Sequence, residues 1–114
     1  MTDSSCIFCK ICAGDMQADR VHEDEHTVAI RDINPGAPTH VLVLPRKHVA
    51  TLNDLTAEDD ALVAHLHRTV RAVAAKDGLS DYRVAINCGA GAGQSVFHIH
   101  FHVLGGRPLS WPPG

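Results

Sequence analysis

At 114 residues, with a net charge of −3 and a hydrophobic fraction of 45%, the chain is sized for one core rather than several domains. It carries no basic stripe, which argues against nucleic acid as its main partner, and no apolar run long enough to span a bilayer, which argues against a membrane. Met1-Thr2-Asp3-Ser4-Ser5 lacks the basic start and apolar stretch of a signal peptide, so a cytoplasmic chain is expected. There, four cysteines read as thiols or metal ligands rather than disulfides.

Taken in chain order, Ile7, Phe8 and Ile11 share a helical spacing, which predicts a short helix over residues 5–13 ending near Gly14. Val21-His22-Glu23 and His26-Thr27-Val28-Ala29-Ile30 read as two strands around an acidic turn, with His22 and His26 in solvent. Asn34-Pro35-Gly36-Ala37-Pro38 is a loop, and His40-Val41-Leu42-Val43-Leu44 an apolar strand stopped by Pro45. Asp54 or Thr56 is the expected cap of a long helix. Its apolar stripe is Leu55, Leu62, Leu66, Val70 and Val73, and it ends before Gly78 with His65 and His67 on its surface. Tyr82-Arg83-Val84-Ala85-Ile86 is a further strand. One long helix, one short helix and about five strands on short loops predict an α+β domain with a largely antiparallel sheet, covering residues 1–114 with an extended tail over 105–114.

The chemistry concentrates in Phe97-His98-Ile99-His100-Phe101-His102-Val103. On a strand the three histidines share one face, while Phe97, Ile99, Phe101 and Val103 share a core face. A row of imidazoles serves either a metal or an anionic group, because imidazole coordinates, attacks and carries protons near neutral pH. A catalytic ion held by all three is disfavoured, since adjacent side chains on a flat strand do not surround one point. The preceding loop runs Asn87-Cys88-Gly89-Ala90-Gly91-Ala92-Gly93-Gln94-Ser95. Alone it reads as a hairpin loop; beside the histidines it reads as a phosphate cradle, with backbone amides freed by glycine and side-chain donors from Gln94 and Ser95. Cys6-Ile7-Phe8-Cys9 is a C-x2-C pair with Cys12 three residues on. A zinc site needs further ligands, for which His48 and one histidine of the row are candidates, and spacing leaves open which two cysteines bind.

His98-Ile99-His100-Phe101-His102-Val103-Leu104 matches the pattern His-φ-His-φ-His-φ-φ, with φ apolar, and so resembles the histidine triad (HIT) superfamily. Asp32-Ile33-Asn34-Pro35, Ala37-Pro38-Thr39-His40 and Gly93-Gln94-Ser95-Val96-Phe97 extend the resemblance over nearly the whole chain. The ending Leu104-Gly105-Gly106-Arg107 with Trp111-Pro112-Pro113-Gly114 is similar to the Hint branch, the histidine triad nucleotide-binding proteins. The resemblance implies an α+β homodimer joining two sheets. It implies cleavage of nucleoside phosphoramidates, acyl-nucleotides or dinucleotide polyphosphates at the α-phosphorus, with AMP- or GMP-like nucleotides as substrates.

By the same resemblance His100 is the nucleophile that forms a nucleotidyl-histidine, and His102 and His40 orient the phosphate. Ser95 contacts the phosphate or leaving group, and Asn87, Gly93 and Gln94 neighbour the phosphate. Asp32 takes the ribose hydroxyls; Ile7, Phe8, Ile11 and Ile33 line the base slot; Trp111 lies near the partner subunit's site. Bacterial members with a C-x2-C pair hold structural zinc on residues matching Cys6, Cys9, His48 and His98, a closed set that ties the N-terminus to the sheet rather than activating water. The leading expectation is a nucleoside phosphoramidase or related nucleotidyl hydrolase that needs no cofactor for its chemistry. The alternatives are a dinucleotide polyphosphate hydrolase and a nucleotide-binding regulatory module with incidental activity.

Overall fold

The computed structural model describes residues 3–114; Met1 and Thr2, part of the segment read for a leader, lie outside the described residues. The elements run α1 (Ile7–Ala13), β1 (Arg20–Glu23), β2 (Thr27–Arg31), β3 (Thr39–Pro45), α2 (Asp60–Lys76), β4 (Tyr82–Ala85) and β5 (Phe101–Gly105). The strands form one sheet in the order β1-β2-β3-β5-β4, with every neighbouring pair antiparallel. None of the described helices is long and apolar enough to cross a membrane.

Strand alternation divides the core between the two faces of this sheet. Ala29, Val41, Val43, Phe101 and Val103 face α2, where Leu66, Val70 and Val73 pack onto them. Val28, Ile30, Leu42 and Leu44 face the other way, under Phe8, Ile11 and Cys12 of α1. Helix α1 is only 7 residues long, capped by Cys6 Sγ and stopped by Gly14 at φ 83°, a left-handed conformation that suits glycine. So short a helix covers only part of its face. His40, opposite Leu104, and His102, opposite Leu42, stand on that same face toward the uncovered end.

Three expectations are corrected. The histidine row is not one strand: β5 starts at Phe101, so only His102 of the three lies in the ladder, and Phe97 is 45% exposed rather than in the core. The reason is Pro45. Alternate residues of β3 turn their backbone groups toward β5, and Pro45, the next after Val43, has no N–H to give. Pairing ends there, and the Ile99 N–H donates instead to the Val49 carbonyl at 2.8 Å.

The long helix is the second correction. It begins at Asp60, preceded by two 3-10 turns at Leu52–Asp54 and Ala57–Asp59. Asp54 and Thr56 both act, but in capping boxes of those turns, and Leu55 sits between them rather than on the helical stripe.

Third, His22 and His65 do not simply face solvent. The Nε2 of each donates to Asp24 Oδ2, at 2.7 and 3.0 Å. The same carboxylate accepts from the His26 and Thr27 amides and from Thr27 Oγ1, and His26 stacks edge-on against His65. The β1–β2 turn is thereby fastened to α2. Burial opposes ionisation of Asp24, but these hydrogen bonds outweigh it and hold the carboxyl well below its ordinary value.

Asp24→Ala strands those donors and is expected to destabilise the fold by roughly 2–3 kcal/mol in denaturant unfolding. Because the folded pKa of Asp24 is depressed, its contribution is full above the ordinary value of 3.8 and is lost as pH falls below it. An acid titration of wild type should therefore show a stability loss below that pH which the variant lacks.

Candidate functional site

The uncovered part of the α1 face forms a cavity of about 540 Å³. Phe8, Ile11, Ile30, Leu42 and Val96 make an apolar wall; Asp32, Ser95, His100 and His102 make its polar end. An apolar slot with a few convergent polar groups is the usual form of a small-molecule site. Ile7 lines the same cavity, half exposed, and Ile33 stands at its edge almost wholly in solvent.

Each histidine at the polar end is held in one tautomer by a partner whose role is fixed. The His98 carbonyl can only accept, so His100 Nδ1 carries the proton and donates to it at 2.8 Å, leaving the His100 Nε2 lone pair free. The Gly36 N–H can only donate and reaches His40 Nδ1 at 2.9 Å. A neutral His40 therefore carries its proton on Nε2 and donates to His102 Nδ1 at 2.9 Å, with Asp32 Oδ2 3.4 Å away. His102 Nδ1 accepts, so His102 presents Nε2–H. The result is an imidazole lone pair on His100 beside an N–H donor on His102, ring centroids 5.0 Å apart.

Burial, chiefly, lowers the pKa values of both rings, with His102 pushed down to about 4, helped by the neighbouring His100 and His40. Phe8 packs edge-on against His100 at 5.0 Å and supplies part of that burial. Both rings are thus neutral near pH 7, as a lone-pair nucleophile and a neutral donor require.

His98 faces elsewhere. It is wholly buried, and its Nε2–H donates to the Pro45 carbonyl at 2.7 Å. Its Nδ1 lies 3.4 Å from Cys6 Sγ, 3.5 Å from Cys9 Sγ and 3.2 Å from His48 Nδ1, and Cys9 Sγ is 3.3 Å from His48 Nδ1. Bonds of about 2.0–2.3 Å to a tetrahedral ion place its donors about 3.3–3.8 Å apart, so spacing and donor types fit zinc. Cys12 stands apart, its thiol directed at the Pro45 carbonyl and pushed up to about 11 by burial.

Among the described residues a second group, Asp32, His40 and His102, also brings its ligand atoms within 4.8 Å. It does not suit an ion. Gly36 occupies the His40 Nδ1 lone pair and so keeps a proton on the nitrogen that would have to ligate.

The remaining expected site residues divide. Gln94 is buried with its amide spent on the loop: Oε1 accepts from the Gly89 N–H, and Nε2 donates to the Ala50 and Val96 carbonyls. It shapes the loop and offers no free side-chain donor to a phosphate. Asn87 and Gly93 sit together, with Asn87 Nδ2 3.6 Å from where a Cβ on Gly93 would stand, but outside the cavity lining. Trp111 is exposed at 77%, beside the Arg83 guanidinium and away from the cavity of its own chain. Sequence reasoning missed the backbone groups of Gly36 and Pro45. The four-residue spacing from Gly36 to His40 was a weak signal, but a backbone donor's target is set by the fold and not by residue type.

The chain can be set beside known proteins on this geometry. A family model described as scavenger mRNA decapping enzyme C-term binding matches residues 5–108. An uncharacterized HIT-like protein of Synechococcus elongatus is 50% identical over 109 residues, covering 95% of this chain and 96% of its own. A solved HIT family hydrolase from Legionella pneumophila superposes with a TM-score of 0.94 at 48% identity, covering 96% of this chain and 99% of that one. A histidine triad protein from Clostridium difficile superposes with a TM-score of 0.93 at 39% identity, covering 96% and 97%. The chain belongs to the histidine triad (HIT) superfamily.

Proposed function

We propose that the protein is a nucleoside 5′-phosphoramidase or closely related nucleotidyl hydrolase acting through a nucleotidyl-His100 intermediate. The observation that carries this reading is the Nδ1–H bond from His100 to the His98 carbonyl, which leaves an Nε2 lone pair at the polar end of an apolar slot. Solved relatives named as HIT family hydrolases support hydrolysis in general.

In this reading a purine lies against Phe8, Ile11 and the exposed Ile7 and Ile33, and the ribose hydroxyls meet Asp32. His100 Nε2 attacks the α-phosphorus, forming an N–P bond, and the P–N bond to the leaving group breaks as the departing nitrogen takes a proton from solvent on the Ser95 side. Water then attacks the same phosphorus and the His100–P bond breaks. The proton passes to solvent, releasing nucleoside 5′-monophosphate and neutral His100. Splitting one displacement into two is the usual gain of covalent catalysis. His102 Nε2–H stabilises charge on the phosphoryl oxygens, while His40 holds His102 in its donor tautomer; the amides of Gly89, Ala92, Gly93 and Gln94 are spent within the loop.

Zinc on Cys6, Cys9, His48 and His98 ties α1 to the sheet and supplies folding free energy. A second copy of the chain extends the sheet and brings its Trp111 to the site. The exposed Tyr82 and Val84 on the edge strand β4 support this homodimer. We place the protein in the cytoplasm, a reading that four unpaired thiols support. The zinc-type N-terminus and the Hint-type tail support a place nearest the Hint branch, among proteins of the bacterial zinc-containing type.

His100→Ala is expected to cut turnover of adenosine 5′-phosphoramidate by roughly 10³-fold or more, while far-UV circular dichroism and AMP binding persist. A retained rate removes His100 as nucleophile. If wild type hydrolyses diadenosine polyphosphates and not the phosphoramidate, the substrate assignment passes to the dinucleotide class. Cys9→Ala is expected to lose bound zinc, measured by elemental analysis. It should also melt roughly 10 °C lower, corresponding to about 2–3 kcal/mol in a domain of this size.

A further inference from the structure

His98 belongs to two constructions at once. Its ring Nδ1 is one corner of the Cys6, Cys9 and His48 cluster, and its backbone carbonyl accepts the His100 Nδ1–H at 2.8 Å. That carbonyl is not held by the sheet, because residues 94–100 precede β5 and pair with no strand. Three attachments locate it instead. The His98 ring donates to the Pro45 carbonyl, the Ile99 N–H donates to the carbonyl of Val49, and the His98 ring meets the cluster. Val49 directly follows the cluster residue His48. Phe8, between Cys6 and Cys9 on the chain, packs edge-on against both His98, at 5.9 Å, and His100, at 5.0 Å. Two of the groups against His100, the His98 carbonyl and Phe8, are therefore carried by segments gathered at the metal-ligating cluster.

We propose that His98 is a positioning residue through which metal occupancy of the Cys6, Cys9, His48 and His98 centre sets the reactivity of His100. The metal then governs the rate of nucleotidyl transfer as well as the stability of the fold. The inference rests on His100 being the nucleophile. With an ion in place, the His98 ring is fixed at both nitrogens and its carbonyl stays aimed at His100 Nδ1. Without the ion, Cys6, Cys9 and His48 no longer hold the ring, and the carbonyl drifts. His100 then populates the tautomer with its proton on Nε2, which has no lone pair to give phosphorus. Ile30, Leu42 and Asp32 of the slot are carried by the sheet, away from the cluster, so nucleotide affinity is affected less than the rate, although Ile7 and Phe8 lie between the two cysteines.

The test uses His48, which lines no part of the nucleotide cavity. His48→Ala cannot complete the four-ligand set, while His48→Cys offers a Cys3His set that also suits zinc. Full-length wild type, both variants, and wild type stripped with a chelator and then resupplied with zinc are compared. Three readouts are taken: kcat and KM for adenosine 5′-phosphoramidate, zinc content, and the 15N chemical shifts of the His100 ring.

Metal-free wild type and His48→Ala are expected to lose about tenfold or more in kcat, a larger factor than any rise in KM, the usual size of an effect on ligand-supporting contacts. Their His100 spectrum should move from a single Nδ1–H form to a mixture. Zinc returned to wild type, and the His48→Cys exchange, should restore both. The proposal is overturned if metal-free protein keeps the wild-type kcat and His100 spectrum, or if kcat falls with the His100 tautomer unchanged. Should His48→Ala not fold, stripped wild type below its melting temperature decides by the same readouts. If wild type itself shows no turnover, the phosphoramidase reading fails. The ring spectrum still judges this inference: a tautomer change on stripping upholds it, and none overturns it.

Discussion

The structure turns on Pro45. It follows Val43 on the side of β3 that faces β5, and it has no amide hydrogen to continue the ladder. Its carbonyl, left without a strand partner, accepts the Nε2–H of His98. The segment before Phe101 is thus released from the sheet and bound back to it by side chains. That release lets His98 turn to the cysteines and lets its own carbonyl be taken by His100. Had β5 run on as a regular strand, that carbonyl would have lain in the plane of the sheet, turned to the side of β5 away from β3, and unavailable to the ring of His100.

A second constraint is the disparity between the two helices. The 17 residues of α2 cover one face of the sheet, while the 7 of α1 leave part of the other open. The open part is where β3 and β5 set His40 and His102 beside each other, at the polar end of the cavity. Phe8 joins the two regions. It completes the core under α1, walls the cavity and lies against two of the triad rings. Core and cavity share that side chain, which the cysteine pair flanks in the chain.

The triad residues look equivalent in sequence and are distinct in space because each meets a different backbone group. His98 gives its proton to Pro45, and His100 gives its proton to His98. His102 receives one from His40, which is itself set by the Gly36 amide. These bonds leave His98 Nδ1 facing the cysteines, a free lone pair on His100 Nε2 and an N–H donor on His102, without any change of residue type. They also remove Asp32, His40 and His102 as a cation site.

The sequence by itself determined most of the element types and marked the candidate site residues, because periodicity, prolines and glycines act locally. The α1 and β3 segments and the triad pattern were legible for that reason, and the family resemblance selected Cys6, Cys9, His48 and His98 together. Only the tertiary structure decided which nitrogen of each histidine is free, that Gln94 serves the loop, and that Phe97 faces solvent. Asp24 likewise gathers His22 and His65 only once the β1–β2 turn meets α2. Some of those outcomes depend on a partner distant in the chain, as Pro45 is for His98 and His102 for His40, and others on a backbone group a few residues away, whose target is not written in its residue type.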